Sequence, residues 1–180
     1  MGRLDEAKGA NRSVEILRIL RERGRPVVLD VIGDGREMAA MRRAVADAGT
    51  EDSTTFHGWL PRPALEPLYA AAHFLLLPSD SEGFPKVLSE AMAFGVVPIA
   101  GAVSSIPQAL EEMGTGRAVP PTDVEAFADA VEHYLDDPEA WAAASRHGVD
   151  GAEMFAYDGY LRDVTTMARD IWALDLQPRS

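Results

Sequence analysis

The chain contains no cysteine, which excludes disulfides, thiolate zinc sites and a cysteine nucleophile and fits a reducing compartment. Lysine is almost missing too. Of 17 basic residues only Lys8 and Lys86 are lysine; the other fifteen are arginine. Positive charge is itself in the minority, because 29 acidic residues leave a net charge of −12, a poor long-range attractor for DNA, RNA or anionic lipid. Nucleic acid is therefore not an expected partner. No stretch approaches the roughly 18 uncharged apolar residues of a membrane helix, and Met1 to Lys8 carry charges where a secretory signal would be apolar. Together these absences predict a cytoplasmic chain.

Several chemical signatures are missing as well. His57, His73, His133 and His147 show no metal-ligand spacing, so no metal is expected. Neither G-x-G-x-x-G nor G-x-x-x-x-G-K-[ST] occurs, which disfavours the familiar NAD and ATP sites, and no G-x-S-x-G elbow is present. Trp59, Trp141 and Trp172 are too scattered for a nucleic-acid stacking platform. No cofactor is expected.

What remains is an ordinary globular composition, 47% apolar over 180 residues, enough for one domain spanning 1–180. Ala10, Val14, Leu17 and Leu20 recur at helical spacing and predict an amphipathic helix from Ala10 to Arg23, stopped by Gly24. A strand over Val27 to Ile32 follows, closed by the turn Gly33-Asp34-Gly35, where Asp34 serves as a turn former. The pattern repeats: helix Arg36 to Ala48, strand Thr54 to His57, helix Ala64 to Ala72, strand His73 to Leu77, helix Lys86 to Phe94, strand Val96 to Ala100. Pro98 argues for a strand terminus or an irregular ladder there. Helix Ile106 to Glu112 and strand Arg117 to Val119 precede three helices, Asp123 to Leu135, Pro138 to His147 and about 157–174. Short apolar strands alternating with helices predict an α/β, doubly wound parallel sheet of Rossmann-like type. The basic stretch Arg18 to Arg25 predicts a solvated helix face, with at most a peripheral membrane contact.

Ligands of such sheets bind beyond the carboxyl ends of the strands, where loops enter helices. The loop from Pro78 to Pro85 is of this kind. Pro85 suits a first helical position, Phe84 cannot cap, and the amides of Lys86, Val87 and Leu88 lack an evident side-chain acceptor. An anion would satisfy them, with Gly83 permitting close approach and Lys86 adding charge. Glu82 and Glu90 bracket this tip and could each accept hydroxyl hydrogen bonds, the layout a sugar nucleotide requires. Taken alone, the segment fits a plainer account better: Glu90 paired with Lys86 at i, i+4, and Glu82 solvated.

The run Ser81 to Ala93, with Glu82 and Glu90 eight residues apart, resembles the E-x7-E segment of the retaining glycosyltransferases of family four, which have the two-domain GT-B fold. Further pieces resemble that family in the same order. Gly2-Arg3-Leu4 with Lys8-Gly9 is similar to its G-R-L-x-x-x-K-G, Gly33-Asp34-Gly35 to its G-D-G, Phe56-His57-Gly58 to its F-x-G, and Leu77-Pro78-Ser79 to its L-P-S.

The resemblance implies that this chain is the C-terminal, donor-binding half of such an enzyme, moving sugar from a nucleoside diphosphate, UDP or GDP, to an acceptor hydroxyl. An N-terminal acceptor-binding domain, in cis or in trans, is the implied partner, and a non-catalytic sugar-nucleotide module the alternative. Arg3 and Lys8 would hold the diphosphate, Glu82 the sugar hydroxyls and Glu90 the ribose. Backbone groups of Gly83, Phe84, Pro85, Lys86 and Val87 would approach sugar and phosphates, and Gly58, Trp59 and Leu60 would border the base. Arg3, Lys8 and Glu82 are the implied catalytic residues. The scarcity of lysine agrees with this, since both lysines fall at proposed phosphate positions, where a compact ammonium suits better than a fork. The plainer account of Arg3 and Lys8 pairs them with Asp5 and Glu6. Pro85, Ser104-Ser105 and Gln108 depart from the family pattern, and the match begins at the G-R-L that normally follows the domain's first strand, so that strand is expected to be absent.

Overall fold

The computed structural model describes residues 2–83 and 86–152; the side chains of Arg3 and Glu6 fall outside that description. A two-residue strand, β1 (Gly2–Arg3), leads through a short 3-10 turn into α1 (Ala10–Glu22). Strands and helices then alternate: β2 (Leu29–Asp34), α2 (Met38–Asp47), β3 (Thr54–Gly58), α3 (Glu66–Ala71), β4 (Phe74–Leu77), α4 (Lys86–Met92), β5 (Val97–Gly101), α5 (Ile106–Met113) and β6 (Arg117–Val119). Two helices close the described chain, α6 (Val124–Asp136) and α7 (Pro138–Ala152). The helix predicted over about 157–174 lies outside the described residues.

Every described ladder is parallel, with β2 between β1 and β3 and β5 between β4 and β6. The α/β doubly wound class holds. It differs from expectation in one respect: the described strands form two three-stranded sheets rather than one. The G-R-L segment itself supplies a short strand, with Gly2 and Arg3 paired with Gly33 and Asp34, and Leu4 extends the pairing by donating its N–H to the Asp34 carbonyl at 2.9 Å. Below that short strand the edges of β2 and β4 share no ladder, and Phe74, Leu75 and Leu76 of β4 are only half-buried while all of β5 is buried.

Helices cover both faces. Val97 and Ile99 of β5 pack with Ile16, Ile19 and Leu20 of α1 and Phe127 and Val131 of α6. Ala100, on the opposite face as the two-residue period requires, packs with Leu88 and Met92 of α4 and Ile106 and Leu110 of α5. One turn earlier, α1 sends Ala10 and Val14 onto Val31, Met41 and Val45 over the first sheet. A single helix thus fastens both sheets. Each of its large aliphatic side chains contributes about 1.5–3 kcal/mol on burial.

Three local expectations are corrected. Pro98 lies within a regular ladder, opposite Leu75. The Val97 N–H points to β4, where it donates to the His73 carbonyl, so the missing N–H of Pro98 faces the other side, where β6 begins only opposite Ile99. No ladder bond is lost. The solvated face is only part of the account of the basic stretch: Arg23 is exposed yet binds Glu125, Asp129 and Glu132, and Arg25 binds Glu132 and Asp136, joining the end of α1 to α6. Finally, α7 runs past His147, because Gly148 and Gly151 are contact points rather than stops. A Cβ at Gly151 would lie 2.7 Å from the Met113 sulfur, and one at Gly148 would lie 3.1 Å from the Thr115 hydroxyl.

Candidate functional site

The carboxyl ends of β1 and β4 meet. Asp80, three residues past β4, donates its N–H to the Ala7 carbonyl at 2.9 Å. Gly9 has φ +64°, and a Cβ there would lie 2.0 Å from the Pro78 carbonyl oxygen, so this approach of two backbones requires glycine. Between these contacts the Lys8 ammonium donates to Glu82 Oε1 at 2.6 Å. The lysine is 43% exposed and the carboxylate 10%, so the acid is turned inward and the cation faces solvent. Lys8 therefore pairs with the other predicted site residue, 74 positions away.

Arg12, one turn into α1, reinforces the junction. Its Nη1 donates to the Pro78 carbonyl at 2.9 Å, to Asp80 Oδ1 at 2.7 Å and to the Pro121 carbonyl at 3.3 Å, and its Nη2 donates to Asp80 Oδ2 at 2.9 Å. Hydrogen bonds from this guanidinium, with its charge, hold the Asp80 carboxyl below the ordinary aspartate range. Neither Arg12 nor Asp80 was singled out by the sequence. Ser79, next to Asp80 in the chain, is fully buried and has a hydroxyl oxygen with no hydrogen-bond partner.

Beyond Glu82 the loop opens. A Cβ at Gly83 would meet nothing within 4 Å, and Phe84 and Pro85 lie outside the described residues. In α4, Val87 is buried and Lys86 is exposed. Lys86 and Glu90 form no ion pair with each other, so the plainer pairing weighed for them is not realised among the described residues; instead the Ser89 hydroxyl donates to the Lys86 carbonyl at 2.9 Å. No described side chain accepts from the N–H of Lys86, Val87 or Leu88. Glu90 is half-buried. Its neighbour Ala91 belongs to a small cluster with Leu65, Tyr69 and Val96, against which Leu60 packs. The turn after β3 is thereby brought beside α4. Gly58 turns with φ +67° into open space, and Trp59 stands 75% exposed beyond it.

Tyr69 is a further residue the sequence did not signal. It is buried, stacks on Phe94 with 5.6 Å between ring centroids, and its hydroxyl has no partner. Burial, reinforced by the Glu90 charge and opposed by Arg62, pushes that hydroxyl up to about 12. Of the positions that depart from the family pattern, Ser104 adopts φ +51°, a conformation natural to glycine, and Gln108 donates to Glu112 on its own helix at 2.8 Å. The backbone of Arg3 lies in β1, beside Asp34. Among the described residues no three His, Asp or Glu side chains converge as a cation site, and no described helix is long and apolar enough to cross a membrane.

The two sheets, their covering helices and the convergence of the loops after β1 and β4 define a Rossmann-like α/β domain, with those loops as its candidate site. Residues 1–148 match the family described as glycosyl transferases group 1, and the chain belongs to that family. It is 32% identical over 148 residues to the 2-deoxystreptamine glucosyltransferase of Streptomyces kanamyceticus, a match covering 82% of this chain and 38% of that protein. Sucrose-phosphate synthase from Thermosynechococcus elongatus superposes with a TM-score of 0.79 at 28% identity, covering 96% of this chain and 44% of that one. Anabaena HepE, solved in complex with UDP, superposes with a TM-score of 0.80 at 20% identity, covering 96% and 48%. The fold is the Rossmann-like domain of GT-B glycosyltransferases. The chain spans about two-fifths or less of the length of the curated relatives it matches.

Proposed function

We propose that this chain is the donor-binding half of a retaining glycosyltransferase and receives a UDP- or GDP-linked sugar at the junction of β1, β4 and α4. The observation that carries the proposal is the contact of Lys8 with Glu82: it unites a cation and an acid from two separate motifs, in the segments that follow β1 and β4. Lys8, joined by Arg3, meets the diphosphate; the amides that open α4 meet its oxygens; Glu82 takes sugar hydroxyls and Glu90 the ribose; Gly58, Trp59 and Leu60 border the base. When the bond from sugar to diphosphate breaks, negative charge accumulates on the leaving oxygen. A fixed ammonium and oriented N–H groups stabilise that charge more in the transition state than in the ground state. The carboxylates position hydroxyls rather than attack the sugar, unlike the paired acids of glycosidases. The complex of HepE with UDP, on the same fold, supports a nucleoside diphosphate ligand. Transfer needs an acceptor-binding half in cis or in trans; without one the chain binds donor only.

Calorimetry with a panel of UDP- and GDP-linked sugars tests this. At least one binds the wild-type chain, and its affinity falls about tenfold or more in Lys8→Ala and in Glu90→Ala, the scale of a lost charged hydrogen bond, while the exposed Arg146→Ala is neutral. No binding across the panel, or binding unchanged from the wild-type chain in both site variants, overturns the proposal.

A further inference from the structure

Two rungs cross between the segment leading from Lys8 into α1 and the loop after β4. Lys8 to Glu82 is one; Arg12 to Asp80 is the other, four residues further on one side and two residues back on the other. The Ala7 carbonyl, accepting from the Asp80 N–H, fixes the backbone between them. Arg12 is 25% exposed and does more than pair: the same guanidinium holds the main chain at Pro78 and at Pro121, in the loops after β4 and β6. A planar fork with five donors can fix two carbonyls and both oxygens of one carboxylate at once; an ammonium cannot. An exposed ion pair alone contributes little to stability. What this arrangement determines is geometry, because the segment it fixes carries Glu82.

We infer that Arg12, through Asp80, is a positioning residue: it sets where the Glu82 carboxylate stands relative to Lys8, and so governs the grip on the sugar rather than on the nucleotide. The inference rests on the donor-site reading above. Its physical content is separable, because the spacing of Glu82 from Lys8 can be observed without any ligand.

The full chain has only two lysines, so lysine labelled with 13C at Cε gives two resonances, assigned by Lys86→Arg. In Arg12→Gln and in Asp80→Asn, the Lys8 signal moves in the direction it takes in Glu82→Gln, while the Lys86 signal stays. Calorimetry then compares UDP with UDP-glucose and GDP with GDP-mannose. The advantage of sugar nucleotide over free diphosphate falls about tenfold in both variants, the scale of a misplaced binding group, beyond any change in the affinity for diphosphate itself. Asp80→Glu, which keeps the acid, restores much of that advantage. Three results overturn the inference: a Lys8 signal that does not move; equal losses for diphosphate and sugar nucleotide in step with a lowered melting temperature, which is structural bracing only; or an unchanged sugar advantage. If the wild-type chain binds no sugar nucleotide, the donor-site reading fails, and the Lys8 resonance alone decides whether Arg12 positions Glu82.

Discussion

Replacing Gly9 with alanine perturbs the junction of α1 and the β4 loop at one atom. Gly9 has φ +64°, and any L-residue there costs about 1–2 kcal/mol. The added Cβ would also lie 2.0 Å from the Pro78 carbonyl oxygen, 2.9 Å from its carbon and 3.2 Å from Arg12 Nη1. Pro78 is buried and its carbonyl is main chain, so relief needs the loop to retreat by about an ångström, which weakens the 2.9 Å bond from Arg12. A hydrogen bond from a charged donor is worth about 1.5–3 kcal/mol. The expected total is roughly 3–5 kcal/mol. Gly49 supplies the control: its φ is +63°, yet nothing lies within 4 Å of a Cβ there. Urea unfolding at pH 7 should give Gly49→Ala a loss of about 1–2 kcal/mol, and Gly9→Ala at least about 2 kcal/mol more, with equal denaturant slopes. Equal losses for the two would refute the reasoning, because backbone strain would then be the whole effect and the approach of Gly9 to Pro78 would carry none of it.

Neutralising the acid of the Lys8 pair frees the lysine: Glu82→Gln should bind pyrophosphate or UDP more tightly by about fivefold, the effect of one removed charge near the surface, and weaker UDP binding in calorimetry would contradict the pairing. Tyr69 predicts a pH dependence. With its hydroxyl pushed from 10.0 to about 12, its contribution to stability is intact below pH 10 and is lost as pH rises through about 12. Tyr69→Phe should flatten urea midpoints measured across that interval without loss at pH 7, where it only removes an unpartnered oxygen; an unaltered slope counts against burial of the hydroxyl. Ser104→Gly relieves a positive φ and should raise stability by about 0.5–1 kcal/mol, net of the greater freedom of the unfolded chain, so a lowered melting temperature would contradict the strain.

The order of elements was legible because strong local signals repeat: Val14, Leu17 and Leu20 mark the inner face of α1, and all three are buried. The junction of Lys8 with Glu82 was not legible from spacing, since 74 residues separate them, although the resemblance had placed both in one site. Arg12 and Asp80 were invisible for a related reason: each reads as a surface charge until the fold brings them together. Pro98 misled because the rule against proline in strands concerns a donor, and here the donor's side has no neighbouring strand at that level. The helix expected over Pro138 to His147 runs on to Ala152 as α7, where Gly148 and Gly151 make room for Thr115 and Met113. The start of β2 slipped from Val27 to Leu29 because a strand begins where it finds a partner, and Leu29 is the first residue opposite β3, at Thr54.

A helix that presses on two separate sheets is constrained from both sides. Ala10 and Val14 of α1 answer to one sheet and Ile16, Ile19 and Leu20 to the other, and Arg12 answers to two loops. In a library of all single substitutions selected for folded protein, α1 should be the least forgiving stretch, with tolerated changes confined to outward positions such as Asn11 and Glu22. Change in that helix would then proceed by coordinated replacement, because a larger side chain accepted on one side shifts the axis away from the other.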